Sequence, residues 1–151
     1  MKREIFAASL IAFSLVGIRS GAAADWPPAS DYLFIADDCS TADDPERCKN
    51  IKAIWERDYN DAIKGGYQGQ RNVSFCLSTG CNYTEFRKNV VLGCAWRVVI
   101  VNSGHLDANE LDAQNLKLYC GSQFLDDTGR VMADAQARTI MEKLGIPVQL
   151  K

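Results

Sequence analysis

The fold of this chain of 151 residues is decided by residues 71–104, RNVSFCLSTGCNYTEFRKNVVLGCAWRVVIVNSG. Three of the six cysteines lie in this segment, at Cys76, Cys81 and Cys94, and they could be metal ligands, a redox site or disulfide partners. Structural zinc sites usually pair their ligands as C-x2-C, and a thioredoxin-type redox site needs the same spacing. Four residues separate Cys76 from Cys81, and the only histidine is His105. The spacing therefore favours disulfides, and we expect neither a metal nor a cofactor.

The N-terminus predicts export. Residues 1–24 combine a basic start, an apolar run over residues 5–18 and a small-residue end, the pattern of a cleavable signal peptide. The apolar run is shorter than the roughly 20 residues that cross a bilayer, so we expect no stable membrane insertion after cleavage. The mature protein is then periplasmic or secreted, where an even number of cysteines predicts disulfides. The cysteines concerned are Cys39, Cys48, Cys76, Cys81, Cys94 and Cys120.

Length and charge restrict the possible partners. A chain of this size forms one domain with a substantial core. Its formal net charge is −2. Nucleic acid and anionic membranes both favour a basic surface, so neither is expected as a partner.

Most of the chain has the pattern of helices. Residues 25–50 are polar and rich in turn-forming residues, which predicts an extended lead-in tied down by disulfides. Residues 51–64 carry apolar side chains at helical spacing, and further helices are expected over about 68–78 and 128–144. Another helix should begin at Asp107, with Glu110 completing a capping box. Residues 89–102, NVVLGCAWRVVIVN, fit either a buried strand or a helix.

A degenerate repeat bears on that ambiguous segment. The first half of the repeat has a small or apolar residue at each motif position: Gly65, Gly69, Val73 and Gly80. The second half carries the remaining motif residues: Gly93, Trp96, Ile100, Val101 and Gly104. This pattern resembles the Sel-like repeat, a helix hairpin related to the tetratricopeptide family, over residues 65–104, with a weaker second unit to about residue 144. The resemblance implies that residues 89–102 are helical. It also implies an all-α, short helix-hairpin (solenoid-like) domain over residues 51–151.

The chain departs from the family pattern at several positions. Gly69 replaces an alanine, and the loop between Gly80 and Gly93 is longer than usual. Because repeat arrays usually need about three units to bury enough surface, at most two units require another source of stability. Three disulfides, at about 2 to 4 kcal/mol each, would supply it. We prefer the pairs Cys39 with Cys48, Cys76 with Cys81 and Cys94 with Cys120; the main rival pairs Cys76 with Cys94.

The sequence contains no recognisable catalytic motif. His105 is the only imidazole, no G-x-S-x-G segment is present, and the cysteines are expected to be oxidised. Three charged residues, Arg71, Arg97 and Asp112, lie in segments that should pack. We interpret them as members of an internal ion pair or hydrogen-bond network, with ligand contact as the alternative.

The sequence predicts an exported domain, and the Sel-like resemblance implies a non-enzymatic role in protein interaction. Tyr67, Asn72 and Trp96 are the candidates for contact with another protein. One alternative is a small secreted inhibitor of an envelope enzyme such as a lysozyme. A second is a hydrolase that uses carboxylates.

Overall fold

The computed structural model describes residues 25–35, 38–81 and 85–148. This part of the chain is all-helical: its one β feature is an isolated antiparallel bridge between Leu33 and Phe86. The predicted signal peptide lies outside the described residues. Five α-helices follow one another: α1 (Pro45–Ala62), α2 (Tyr67–Thr79), α3 (Val90–Asn102), α4 (Glu110–Tyr119) and α5 (Asp127–Leu144). The expected all-α class is confirmed.

The first helix begins before the predicted residue 51. Asp44 accepts a hydrogen bond from the backbone N–H of Arg47 at 3.0 Å, and Pro45 occupies the first turn, where its missing N–H costs nothing. Helix α1 therefore includes residues that were expected to belong to the extended lead-in. Residues 25–44 hold two short 3-10 helices, Ala29–Tyr32 and Cys39–Thr41, and α1 takes up the rest of the expected lead-in.

The lead-in belongs to the core of the domain. Trp55 of α1 donates its indole N–H to the Ala29 carbonyl at 2.7 Å, and Tyr59 donates its hydroxyl to the Pro27 carbonyl at 2.6 Å. Trp26 stacks on Trp96 of α3 with 5.9 Å between ring centroids. These contacts help to bury Trp55 and Tyr59 of α1 and Trp96 of α3.

The ambiguous segment is a helix, and the strand alternative is wrong. Helix α3 lies between α2 and α5 and packs against both. Gly80 ends α2 in the left-handed conformation with φ 81°, as the sequence predicted. A methyl group at Gly93 would lie 2.4 Å from the Ser78 hydroxyl and 3.1 Å from the Ser74 carbonyl, so glycine permits the close approach of α2 and α3.

The predicted capping box of α4 is misplaced by two residues. Asn109 caps the helix by accepting from the Leu111 N–H, and Asp112 accepts from the Asn109 N–H at 3.0 Å. Asp107 and Glu110 have the same spacing, but the chain around Asp107 turns back on His105 instead. The cap of α5 lies at Asp126, which accepts from the Gly129 N–H.

The preferred disulfide pairing is confirmed. The structure joins Cys39 with Cys48, Cys76 with Cys81, and Cys94 with Cys120. The first ties the lead-in to α1, the second closes the end of α2, and the third links α3 to the end of α4. None of the described helices is both long enough and apolar enough to cross a bilayer. The three disulfides are compatible with an extracellular or secreted protein.

Candidate functional site

A cleft of about 330 Å³ opens between α1 and α2. We call it the α1–α2 cleft; the Cys76–Cys81 disulfide closes one side, and its other main lining residues are Ile54, Trp55, Asp58, Asn72, Phe75 and Phe86. Trp55 and Phe86 are buried and meet edge to face with 5.1 Å between ring centroids. Ile54 and Phe75 are 46% and 37% exposed. The cleft therefore presents an apolar surface to solvent, with aromatic rings beneath it.

Polar groups are fixed at the edges of this cleft. Asp58 is mostly buried and accepts from Asn72 at 2.9 Å and from the Arg57 guanidinium at 2.8 Å. At another edge, Arg47 forms an ion pair of 3.0 Å with Glu85. Apolar walls with a few fixed polar groups are typical of binding pockets, in which the polar groups set the orientation of the ligand.

A second group of polar side chains lies where α2, α3 and α4 converge. Asp112 is buried and accepts from the Tyr67 hydroxyl at 2.6 Å and from the Asn109 backbone at 3.0 Å. Its other carboxylate oxygen pairs with Arg71 Nε at 3.2 Å. The predicted internal ion pair is thus confirmed for Arg71 and Asp112. Burial and the bond to Asp112 raise the pKa of Tyr67 above its ordinary value, because both favour the neutral phenol.

Arg97 differs from its charged neighbours. The residue is 6% exposed, and its guanidinium lies over the ring of Tyr119, 4.0 Å from the centroid. Its Nε is buried and has no hydrogen-bond partner among the described residues. Burial lowers the pKa of Arg97 to about 10, although the charges of Tyr119 and Asp112 oppose this effect. Arg97 therefore stays charged at neutral pH, held by an aromatic face rather than by an ion pair.

His105 stacks on Tyr67 beside this polar group. The ring centroids are 5.0 Å apart, and the planes are inclined by 21°. Its Nδ1 accepts from the Asp107 backbone at 3.2 Å. The imidazole thus shapes the turn before α4.

The three predicted contact residues occupy different surroundings. Asn72 lines the α1–α2 cleft, and Tyr67 belongs to the polar group around Asp112. Trp96 is 1% exposed, and its packing in the core corrects the expectation that it contacts a partner. Trp96 occupies the aromatic position of the repeat pattern, on a helix that is buried on several faces. An aromatic side chain at such a position contacts its own domain.

The cleft was not predicted from the sequence, because a start of α1 at residue 51 leaves Arg47 outside the helix. A start at Pro45 places Arg47, Ile51, Ile54 and Asp58 on one helical face, at successive spacings of three and four residues. The Asp-Pro pair at Asp44 was the available signal for that start. No local pattern, however, indicated that Phe86 would pack beneath this face from the far side of α2.

Comparisons with known proteins give no assignment. No family model matches the chain, and no curated protein or solved structure shows significant similarity to it. Within the described ranges, no group of three or more His, Cys, Asp or Glu side chains is arranged to hold a metal ion. The function must therefore be argued from the geometry of the cleft and of the polar group.

Proposed function

We propose that this chain is an exported, non-enzymatic protein-interaction domain that binds a partner through the α1–α2 cleft. The observation that carries the proposal is the exposure of Ile54 and Phe75 on either side of a cleft with an aromatic floor. Exposed apolar residues are common singly, but two that flank one cleft make a surface that gains by being covered.

The size of the cleft suits an anchoring side chain. At about 330 Å³ it lies at the small end of the range for ligand pockets, about 300 to 1,000 Å³. Burying one large apolar side chain there contributes about 1.5 to 3 kcal/mol, a typical value for a residue that dominates an interface. Asn72 and Asp58 at the edge would orient the partner's backbone, so specificity would come from these two side chains.

Two further observations support the proposed export of the chain and its proposed role in protein interaction. Three disulfides within a small domain are typical of the oxidising periplasm or extracellular space, where the signal-peptide pattern of residues 1–24 would direct the chain. Helix α2 packs on α3 with Gly80 at the end of α2 and Gly93 at the contact, and a helix hairpin is what the Sel-like resemblance implies. Such hairpins serve as interaction surfaces.

Site-specific crosslinking tests the proposal. A photoreactive phenylalanine analogue replaces Phe75 in the exported, disulfide-bonded protein, and the control protein carries it at Val131, which is 67% exposed on α5. We expect a discrete adduct from position 75 only, and we expect it to disappear when Ile54→Glu is added. Identical adducts from both positions, or an adduct that survives Ile54→Glu, would contradict the proposal.

The same protein tests the identity of the partner. An adduct with an envelope hydrolase, together with stoichiometric inhibition of that enzyme, would make the partner a lysozyme-type enzyme. The unfolding midpoint of the Ile54→Glu variant serves as the folding control. Because Ile54 is exposed, this midpoint should stay close to that of the unaltered protein.

A further inference from the structure

The charges around Arg97 do not balance. Arg71 and Arg97 bring two guanidinium groups to the meeting point of α2, α3 and α4, whereas Asp112 is the one carboxylate that pairs with either of them among the described residues. Both oxygens of Asp112 are already used, one by Arg71 and the other by Tyr67 and Asn109. One positive charge therefore has no counter-charge.

Arg97 carries that uncompensated charge. Its Nε lacks a hydrogen-bond partner, and the ion pairs of the described residues do not include it. A buried charge without a partner is destabilising, and a well-packed apolar side chain of similar size would usually be better tolerated at such a position. A buried guanidinium whose Nε donor is unused is suited to receive an acceptor from outside the chain.

We infer that Arg97 and Arg71 together bind one carboxylate group of an external ligand. A guanidinium fork matches the two oxygens of a carboxylate, and the Nε–H of Arg97 is a donor without a partner among the described residues. The excess of a single positive charge fits a monoanion better than a phosphate dianion. Arg71 is 30% exposed in its side chain, so the group opens to solvent at this residue.

The proposed site is independent of the proposed function. It shares no lining residue with the α1–α2 cleft, and its ligand is recognised by charge rather than by apolar contact. The carboxylate could belong to a small organic acid or to the end of a polypeptide. The Arg97 guanidinium lies over the Tyr119 ring and the Arg71 guanidinium over the Tyr67 ring, so an aromatic face supports each group.

Titration followed by NMR tests this inference on the complete disulfide-bonded protein. The protein is labelled with ¹⁵N-arginine and titrated with sodium acetate at constant pH, while sodium chloride holds the ionic strength constant. We expect a saturable shift of the Arg97 Nε–H signal, which chloride alone does not produce. In Arg71→Gln the affinity for acetate should fall by roughly tenfold or more, the effect of losing one charge-assisted pair.

A matched pair of variants separates binding from structure. Arg97→Met should abolish the acetate-dependent shift of the Arg71 signal and should raise the unfolding temperature in the absence of acetate. Arg138→Met removes an exposed charge from α5 and should leave the shift of the Arg97 signal intact. Acetate should raise the unfolding temperature of the unaltered protein and of Arg138→Met, but not that of Arg97→Met.

A second set of probes identifies the source of the carboxylate. Acetyl-trialanine with a free carboxylate is compared with its amide. Tighter binding of the free acid than of acetate indicates the end of a polypeptide, equal or weaker binding indicates a small acid, and the amide should not bind in either case. The inference is overturned if acetate and chloride act alike, if phosphate binds more tightly than acetate, or if Arg97→Met destabilises the free protein.

Discussion

The contact between α1 and α2 at Gly69 gives the sharpest stability prediction. A methyl group at this position would lie 2.5 Å from the Ala62 nitrogen and 2.6 Å from the Asp58 carbonyl oxygen, whereas ordinary contact begins near 3.4 Å. Both atoms belong to the backbone of α1, so no side-chain rotation can relieve the overlap. Gly69→Ala must therefore move the two helices apart.

The expected loss can be estimated from two opposing effects. Overpacking typically costs about 1 to 3 kcal/mol, and backbone atoms place this site at the upper end. Alanine regains about 1 kcal/mol of helix propensity. The net loss in the free energy of unfolding is then about 2 kcal/mol, or roughly 30-fold in the folding equilibrium. In a domain of this size, it lowers the unfolding temperature by about 8 °C.

Urea denaturation followed by tryptophan fluorescence measures this loss with the disulfides intact. Gly129→Ala in the first turn of α5 is the matched control, because the atoms nearest to its methyl group belong to side chains, Leu125 Cδ2 at 3.0 Å and Asp126 Oδ1 at 3.2 Å, and not to the backbone of another helix. We expect the control to equal or exceed the unaltered protein in stability. A Gly69→Ala variant as stable as this control would refute the argument from close helix approach.

Three further measurements test the stabilising contacts. Replacing Cys94 and Cys120 by serine opens a loop with a sequence separation of 26 and should lower the free energy of unfolding by about 3.5 kcal/mol, measured by urea denaturation. Asp126→Ala removes the cap of α5 and should cost about 1 kcal/mol, which an unchanged urea midpoint would contradict. Burial raises the pKa of Tyr59, so its contribution to stability is complete below its unfolded-state pKa of 10.0 and falls as pH rises above that value. Denaturation midpoints between neutral and alkaline pH should show this fall, and Tyr59→Phe should reduce it.

Local patterns were sufficient for several helix ends, and they favoured the observed crosslinks. Helix ends at Gly80 and Gly145 depend on a single residue that adopts the left-handed conformation, and both were predicted from the sequence. The pairing of Cys76 with Cys81 followed from the break at Gly80. These features are decided within a few residues along the chain, where sequence patterns are informative.

The candidate sites depend on contacts between distant segments, which local patterns do not specify. Phe86 reaches the α1–α2 cleft from the segment after α2, and Asp112 meets Arg71 from a different helix. The N-terminal cap of α4 also depends on a contact with a distant segment. Two overlapping capping boxes have identical spacing, and the choice of Asn109 follows from the bond between Asp112 and Tyr67.

The two ends of the described chain meet in space. Lys143, in the last turn of α5, contacts the Asp25 carbonyl and lies over the Trp26 ring, 4.9 Å from its centroid. If the domain is attached to a surface, a label or a second protein through either end, the attachment point therefore lies in the same region of the domain. A circularly permuted chain could join these ends with a short linker. Helix α2 and the helices next to it would remain unbroken in the permuted protein.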